Sequence, residues 1–459
     1  MNRKIGHRIC MCFITGFLIL FSGAGSYTQT RDDIGKKIVE YLNAQKEVNQ
    51  FSGSVLVAHK GTVIISKGYG LANHEHEIPN SPETRFRIAS LTKQFTAMAI
   101  MILEEDGTLR LDDQLSTYIP DYPRGEEITI VHLLTHTSGI PNHTELPGFN
   151  RERRVYECDI EKTIAAFKNK ELEFTPGEKF AYSNSGYILL GYIIEKVTGA
   201  SYGDFIKERI FKPLKMGHSG FEYTEMIIKK RAYGYTREGN EYKKAAYRIM
   251  SNAHASGALY STTEDLYLWD RALYTEALVS KESLDKMFTP YTKQYGYGWG
   301  IVNLFNRKMA GHNGEIEGYR TNMSRFVDDY ACIIILSNCE QTPIGKMSMD
   351  LAAILFGEEY SKPKKKSVVK VEAGVLEEYT GTYELSPDFT FVITRDNTRL
   401  FCRATGQPKL EIFPESETTF FLKQVEAQIR FVRDEKNRVE KLILHQGGRD
   451  MGAVKVEQE

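Results

Sequence analysis

The sequence predicts an α/β (α+β) main domain followed by a small C-terminal β domain, and three observations carry this. Strand-like runs stand before Gly70 and again after Gly296, with mostly helical and loop-forming sequence between them, as when one sheet is assembled from both ends of a domain. A charged, proline-containing stretch, "YSKPKKKSVVKVEAG", then separates two regions of different texture and reads as a linker. Beyond it, short β-branched and aromatic runs alternate with turn formers at the spacing of a small barrel or sandwich.

The elements follow in order. "SGSVLVAHKGTVIISKGYG" holds two β-branched runs joined at Lys60-Gly61, the signature of a β-hairpin. In "RIASLTKQFTAMAIMILEE", Leu91, Phe95, Met98 and Ile102 recur at helical spacing, which predicts an amphipathic helix with one apolar stripe, closed by Gly107. "YGYGWGIVNLF", "GYRTNMSRFV" and "YACIIILSN" return to strand character, and "PIGKMSMDLAAILFGEEY" reads as a closing helix. The expected divisions are a targeting segment at 1–26, a main domain at 27–358, a linker at 359–372 and a β-barrel domain at 373–459.

The chain has 459 residues, 41% hydrophobic and 26% charged, with a formal net charge of -1, so no chain-wide field exists to recruit nucleic acid or an anionic membrane. Met1 to Arg8 is basic, Ile9 to Phe21 apolar, and Ser22-Gly23-Ala24-Gly25-Ser26 small, the pattern of an export signal. The apolar run falls short of the ~18 to 20 residues of a membrane span, so no stable span is expected after cleavage, with an uncleaved anchor as the alternative. Cys10 and Cys12 lie inside this run; Cys158, Cys332, Cys339 and Cys402 are too widely spaced for a disulfide framework, and Cys332 reads as core.

Chemistry concentrates at three places. Ser-x-x-Lys occurs at Ser90/Lys93, Ser283/Lys286, Ser361/Lys364 and Ser367/Lys370, so the spacing alone says little. Only the first opens an apolar helix, where i and i+3 share a face and a desolvated Lys93 can lower its pKa and assist a Ser90 nucleophile. Tyr182 and Asn184 stand two apart ahead of the helical "SGYILLGYIIEKVTG"; Tyr182 would act as a base if a cation such as Lys93 stabilised its phenolate. The plain alternatives are a first-turn serine cap and a buried tyrosine. His312-Asn313-Gly314 lies in a glycine-rich strand setting in "AGHNGEIEGYRTNMSRFV", unlike the His-x-Gly triplets at His59, His218 and His445. His74 and His76 read as an exposed polar loop rather than a metal site, and His136 as structural.

Taken together, Ser90-x-x-Lys93, Tyr182-x-Asn184 and His312-x-Gly314 resemble the serine β-lactamase-related superfamily, nearest to class C enzymes, D-aminopeptidases, D-Ala-D-Ala carboxypeptidases and esterases. "LLTHTSGIPNH" and "SGALYSTTEDLYLW" extend the resemblance over residues 35–358, and the tail is similar to the lipocalin-like domain of some such peptidases. The resemblance implies a β-lactamase/transpeptidase-like antiparallel sheet with a helical subdomain, and an exported serine hydrolase acting through an acyl-enzyme. It implies Ser90 as nucleophile, Lys93 and Tyr182 as proton shuttles, and the backbone N–H groups of Ser90 and Glu315 as oxyanion hole. Asn184, His312, Asn313 and Gly314 would bind a small-molecule or peptide substrate, with no metal or organic cofactor and with homo-oligomerisation left open. Histidine in place of the third-motif lysine argues against efficient penicillin hydrolysis, as would Glu315 if its side chain turned inward. A β-lactamase or a non-catalytic penicillin-binding-type sensor is the alternative.

Overall fold

The computed structural model describes residues 30–147, 155–156, 159–239, 241–292, 294–365, 367–422, 427–446 and 449–456. The targeting segment and Cys10, Cys12 and Cys158 lie outside them.

After helix α1 (Arg31–Asn49) come strands β1 (Gly53–His59) and β2 (Thr62–Tyr69). Lys60 and Gly61 between them both take positive φ, 50° and 70°, as a two-residue hairpin turn that follows the strand twist requires. Helix α2 (Thr92–Glu105) follows. Much later come β3 (Gly300–Leu304), β4 (Arg307–Ile316), β5 (Tyr319–Phe326) and β6 (Ala331–Ser337). They join the hairpin in one antiparallel sheet of order β3-β4-β5-β6-β1-β2, with Gly53 to Ala58 of β1 facing Ser337 to Cys332 of β6. The expectation of a sheet built from both ends holds.

Both faces of this sheet are covered, which is why β1 and β6 read as unbroken apolar runs instead of alternating ones. Val55, Val57, Ile333 and Ile335 pack toward α1 and the closing helix (Ile344–Phe356). Leu56, Ala58, Cys332, Ile334 and Leu336 belong to the opposite core, which includes α2. Helix α2 itself departs from the single-stripe expectation: Thr92 through Leu103 are all buried. Its buried polar side chains find partners inside the core, Gln94 Oε1 accepting from the Trp269 indole at 3.0 Å and Thr96 donating to the Ala255 carbonyl at 2.7 Å, although the Gln94 amide nitrogen has none.

The C-terminal region resolves the barrel-or-sandwich choice. Eight consecutive antiparallel strands, from Gly381–Ser386 to Arg449–Val456, close into a barrel through pairing of the first with the last. Its core includes Tyr383, Phe391, Ile412, Phe420 and Phe431, with Tyr379 stacked on Phe431 at 4.1 Å. Cys332, Cys339 and Cys402 are free and buried. No described helix is long and apolar enough to cross a membrane.

Candidate active site

Ser90 sits in a 3-10 turn, Ala89–Leu91, that runs straight into α2. Neither helical start carries a side-chain cap bond, so Ser90 is not there as a cap. The approach is held on two sides: Ile88 N–H donates to the Leu259 carbonyl at 2.9 Å, and the Ile88 carbonyl accepts from Thr321 Oγ1 at 3.0 Å. Ala89 is forced to φ 48°, a left-handed conformation unfavourable for any residue but glycine. The turn thereby fixes Ser90 between the main sheet and the small sheet that pairs Phe86–Arg87 with Tyr260–Ser261.

Lys93, one turn on, has 0% relative exposure. Its Nζ lies 3.1 Å from Ser90 Oγ, 2.8 Å from Asn184 Oδ1 and 2.9 Å from the Ser256 carbonyl. It also lies 4.9 Å from the Tyr182 ring centroid. With neutral oxygens as its hydrogen-bond partners, burial pushes the ammonium well below its ordinary range. Tyr182 donates its hydroxyl to Ser90 Oγ at 3.0 Å, and burial pushes the phenol the opposite way, up. A neutral lysine fits these partners completely. Nζ donates to all three oxygens; deprotonated, it would keep N–H bonds to Asn184 and Ser256 and turn its lone pair to the Ser90 hydroxyl, whose oxygen accepts from Tyr182.

Asn184 is the first residue of helix α3 (Asn184–Thr198), which follows Tyr182 directly and so anchors the second motif. His136 supports it from behind. Its ring lies 4.3 Å from that of Tyr182, and its Nδ1 accepts the Ser183 backbone N–H at 3.1 Å. His136 is buried and packs against the Tyr182 ring. His74 packs against Tyr235 and Tyr242.

The third motif lies on β4, whose pairing with β3 runs only from Arg307 to Gly311. His312 and Gly314 share the face turned toward α2, as alternation along a strand requires. A Cβ on Gly314 would fall 2.5 Å from the Ile88 carbonyl oxygen and 2.2 Å from Thr321 Oγ1, so only glycine lets β4 lie this close to the Ser90 turn. His312 Nδ1 meets the Asn313 carbonyl at 2.6 Å and must be the protonated nitrogen; Nε2 then accepts from the Tyr295 hydroxyl at 3.0 Å. Burial and the neighbouring Lys93 lower His312 to about 4.

The side chains of Asn313 and Glu315 face away from the cleft. The Asn313 side chain accepts from Asn322 at 2.8 Å on the opposite face of the sheet, so it does not share the cleft with His312. Glu315 points the same way as Asn313, 67% exposed and 3.6 Å from Arg320, and places no carboxylate against Ser90. Tyr295, by contrast, carries no sequence motif that marks it, and Asn142, though inside the "LLTHTSGIPNH" stretch, is not singled out there; long-range packing brings both to the site.

A serine held between a buried lysine and a tyrosine, on the helix under an antiparallel sheet, defines the β-lactamase and penicillin-binding type of serine-hydrolase fold. The chain belongs to the Beta-lactamase family, whose model spans residues 41–355. A second model, described as a domain of unknown function (DUF3471), covers 365–455. The chain is 33% identical over 438 residues to Penicillin-binding protein 4* of Bacillus subtilis (strain 168), covering 89% of this chain and 96% of that protein. Among solved structures it is similar to the octameric penicillin-binding protein homologue from Pyrococcus abyssi, at TM-score 0.67 and 30% identity over 92% of this chain and all (100%) of that one. It is also similar to a D-stereospecific amidohydrolase from Streptomyces sp., at TM-score 0.59 and 25% identity, covering 70% of this chain and 99% of that chain.

Proposed function

We propose that this chain is an exported hydrolase that cleaves an amide or ester bond through an acyl-enzyme on Ser90, with short D-amino-acid peptides or esters as the substrate class. The observation that carries the reading is the double hydrogen bond at Ser90 Oγ, 3.1 Å to Lys93 and 3.0 Å to Tyr182. Neutral Lys93 takes the Ser90 proton as Oγ attacks the carbonyl carbon, and the oxyanion is held by the backbone N–H groups of Ser90 and Glu315. The amine or alcohol leaves with the proton of Tyr182, and the proton gained by Lys93 restores the tyrosine. Water then attacks the acyl-serine, losing a proton to the same pair, which returns it to Ser90 Oγ as the acyl–Oγ bond breaks and the acid departs. This division of labour makes Lys93 the first base, where the sequence alone favoured a Tyr182 phenolate; the opposite effects of burial on the two groups support the change.

The export signal at the N-terminus and the penicillin-binding relatives support an extracytoplasmic setting. The amidohydrolase likeness supports the D-amino-acid preference. His312, neutral where the broader family template has lysine, disfavours rapid β-lactam turnover, since no fixed cation meets the carboxylate. The test is mature protein assayed with short esters, D-Ala-terminated peptides and nitrocefin, alongside a fluorophosphonate label. Ester or peptide turnover and labelling that both vanish in Ser90→Ala support the reading; labelling that persists in that variant sinks it. Stable acylation by penicillin without turnover would favour a penicillin-binding sensor, the second reading, which the relatives' names favour.

A further inference from the structure

Asn184 is itself held in an orientation that nothing in its own motif explains. Its backbone N–H donates to Asn142 Oδ1 at 3.1 Å, and its side-chain Nδ2 lies 3.3 Å from the same oxygen and 3.4 Å from Thr144 Oγ1. A backbone N–H can only donate, so Asn142 must present its oxygen here and its amide nitrogen on the far side. That nitrogen donates to Glu145 Oε1 at 2.7 Å. The turn that sets this spacing is itself closed by the Glu145 N–H bonding the Asn142 carbonyl at 2.9 Å. Thr144 adds a hydroxyl bond to Asn142 Oδ1 at 3.1 Å.

The result is a directed chain: Lys93 donates to Asn184, Asn184 to Asn142, and Asn142 to a carboxylate. Every link has its donor on the lysine side. Resting on the reading above, we infer that Asn142, backed by Glu145, is a positioning residue for the catalytic lysine. It locks the Asn184 amide with its oxygen against Lys93, and the two aligned amides favour the ammonium that forms when Ser90 gives up its proton. Asn142 is nearly buried, at 9% exposure, whereas Glu145 lies at the surface. The relay thus ends in water, where its terminal charge can be altered without disturbing the core.

The experiment measures fluorophosphonate labelling rate against pH in the parent, Asn142→Ala, Glu145→Gln and the exchange variant Asn142→Asp/Glu145→Gln, with Ser90→Ala as control and Tm as a check on folding. Asn142→Ala frees the Asn184 amide to turn, and labelling should slow about tenfold to a hundredfold. The acid limb of the profile reports protonation of Lys93. In Glu145→Gln it moves to lower pH, because a charge favouring the ammonium is gone. In the exchange variant the carboxylate stands one link closer, the hydrogen bond survives with donor and acceptor swapped, and the limb moves to higher pH with the rate restored to within a few-fold. Limbs that coincide in all variants, or an exchange variant that folds and stays as slow as Asn142→Ala, overturn the relay while leaving the acyl-enzyme reading intact. A parent that labels no faster than Ser90→Ala overturns both.

Discussion

The Tyr295 hydroxyl donates to His312 Nε2 across 3.0 Å, and with Nδ1 engaged by the Asn313 carbonyl the imidazole has no nitrogen left for a substrate. With His312 at about 4, it is neutral through the physiological range. The preference for an amidated over a carboxylate-terminated peptide should therefore stay flat from about pH 5.5 to 8 and shift toward the carboxylate only near pH 4. His312→Lys should improve kcat/KM for the carboxylate form about tenfold relative to the amide. A ratio that already bends at pH 6.5, the ordinary histidine value, would contradict the hydrogen-bond lock.

Tyr182→Phe removes the hydroxyl bonded to Ser90 and leaves the ring against His136. Turnover should fall by about 10² to 10⁴ if the hydroxyl carries a proton to the leaving group. Tm should change little. An ester with a good leaving group, which needs less help, should lose less than a peptide.

Lys93→Met tests the buried amine through stability. The folded-state pKa of Lys93 is depressed below its ordinary 10.5, so the unfolded chain binds the extra proton and the parent gains stability as pH rises toward that value. The Met variant lacks this slope. Its Tm relative to the parent should be most favourable at neutral pH and decline as pH approaches 10; a constant difference across that range would mean that Lys93 is charged in the fold.

Gly314→Ala drives a Cβ to 2.5 Å from the Ile88 carbonyl oxygen. That contact is with backbone, so the strand and the Ser90 turn must separate, at a cost of about 1 to 3 kcal/mol in stability. Activity should drop further than stability predicts, since the same shift displaces the Ser90 turn and, in the proposed mechanism, the Glu315 N–H of the oxyanion hole. Urea unfolding and kcat, measured together, separate the two effects.

The sequence was most informative where chemistry is local. The hairpin at Lys60-Gly61, the Ser90/Lys93 pair one helical turn apart, and the left-handed Gly107 after α2 each follow from a few neighbouring residues. The union of Ser90, Tyr182 and the His312 strand was legible only through the resemblance, because no local rule joins segments so far apart. The all-round burial of α2 went unread for a related reason: Gln94 and Thr96 look solvent-facing until Trp269 and Ala255 arrive to pair with them. The facing of side chains along β4 was not read either: strand alternation carries the Asn313 side chain to the far side of the sheet from His312.

The adjacency of β1 and β6 governs when this protein can come into being. Gly53 meets Ser337, so the first strand made has its partner near the end of the main domain. Ribosomal synthesis must nearly finish that domain before the sheet can close, and contacts of such sequence separation form slowly. Gly314 likewise reaches the Ser90 turn only from this late sheet, so an emerging chain carries its nucleophile for most of translation without the machinery to use it.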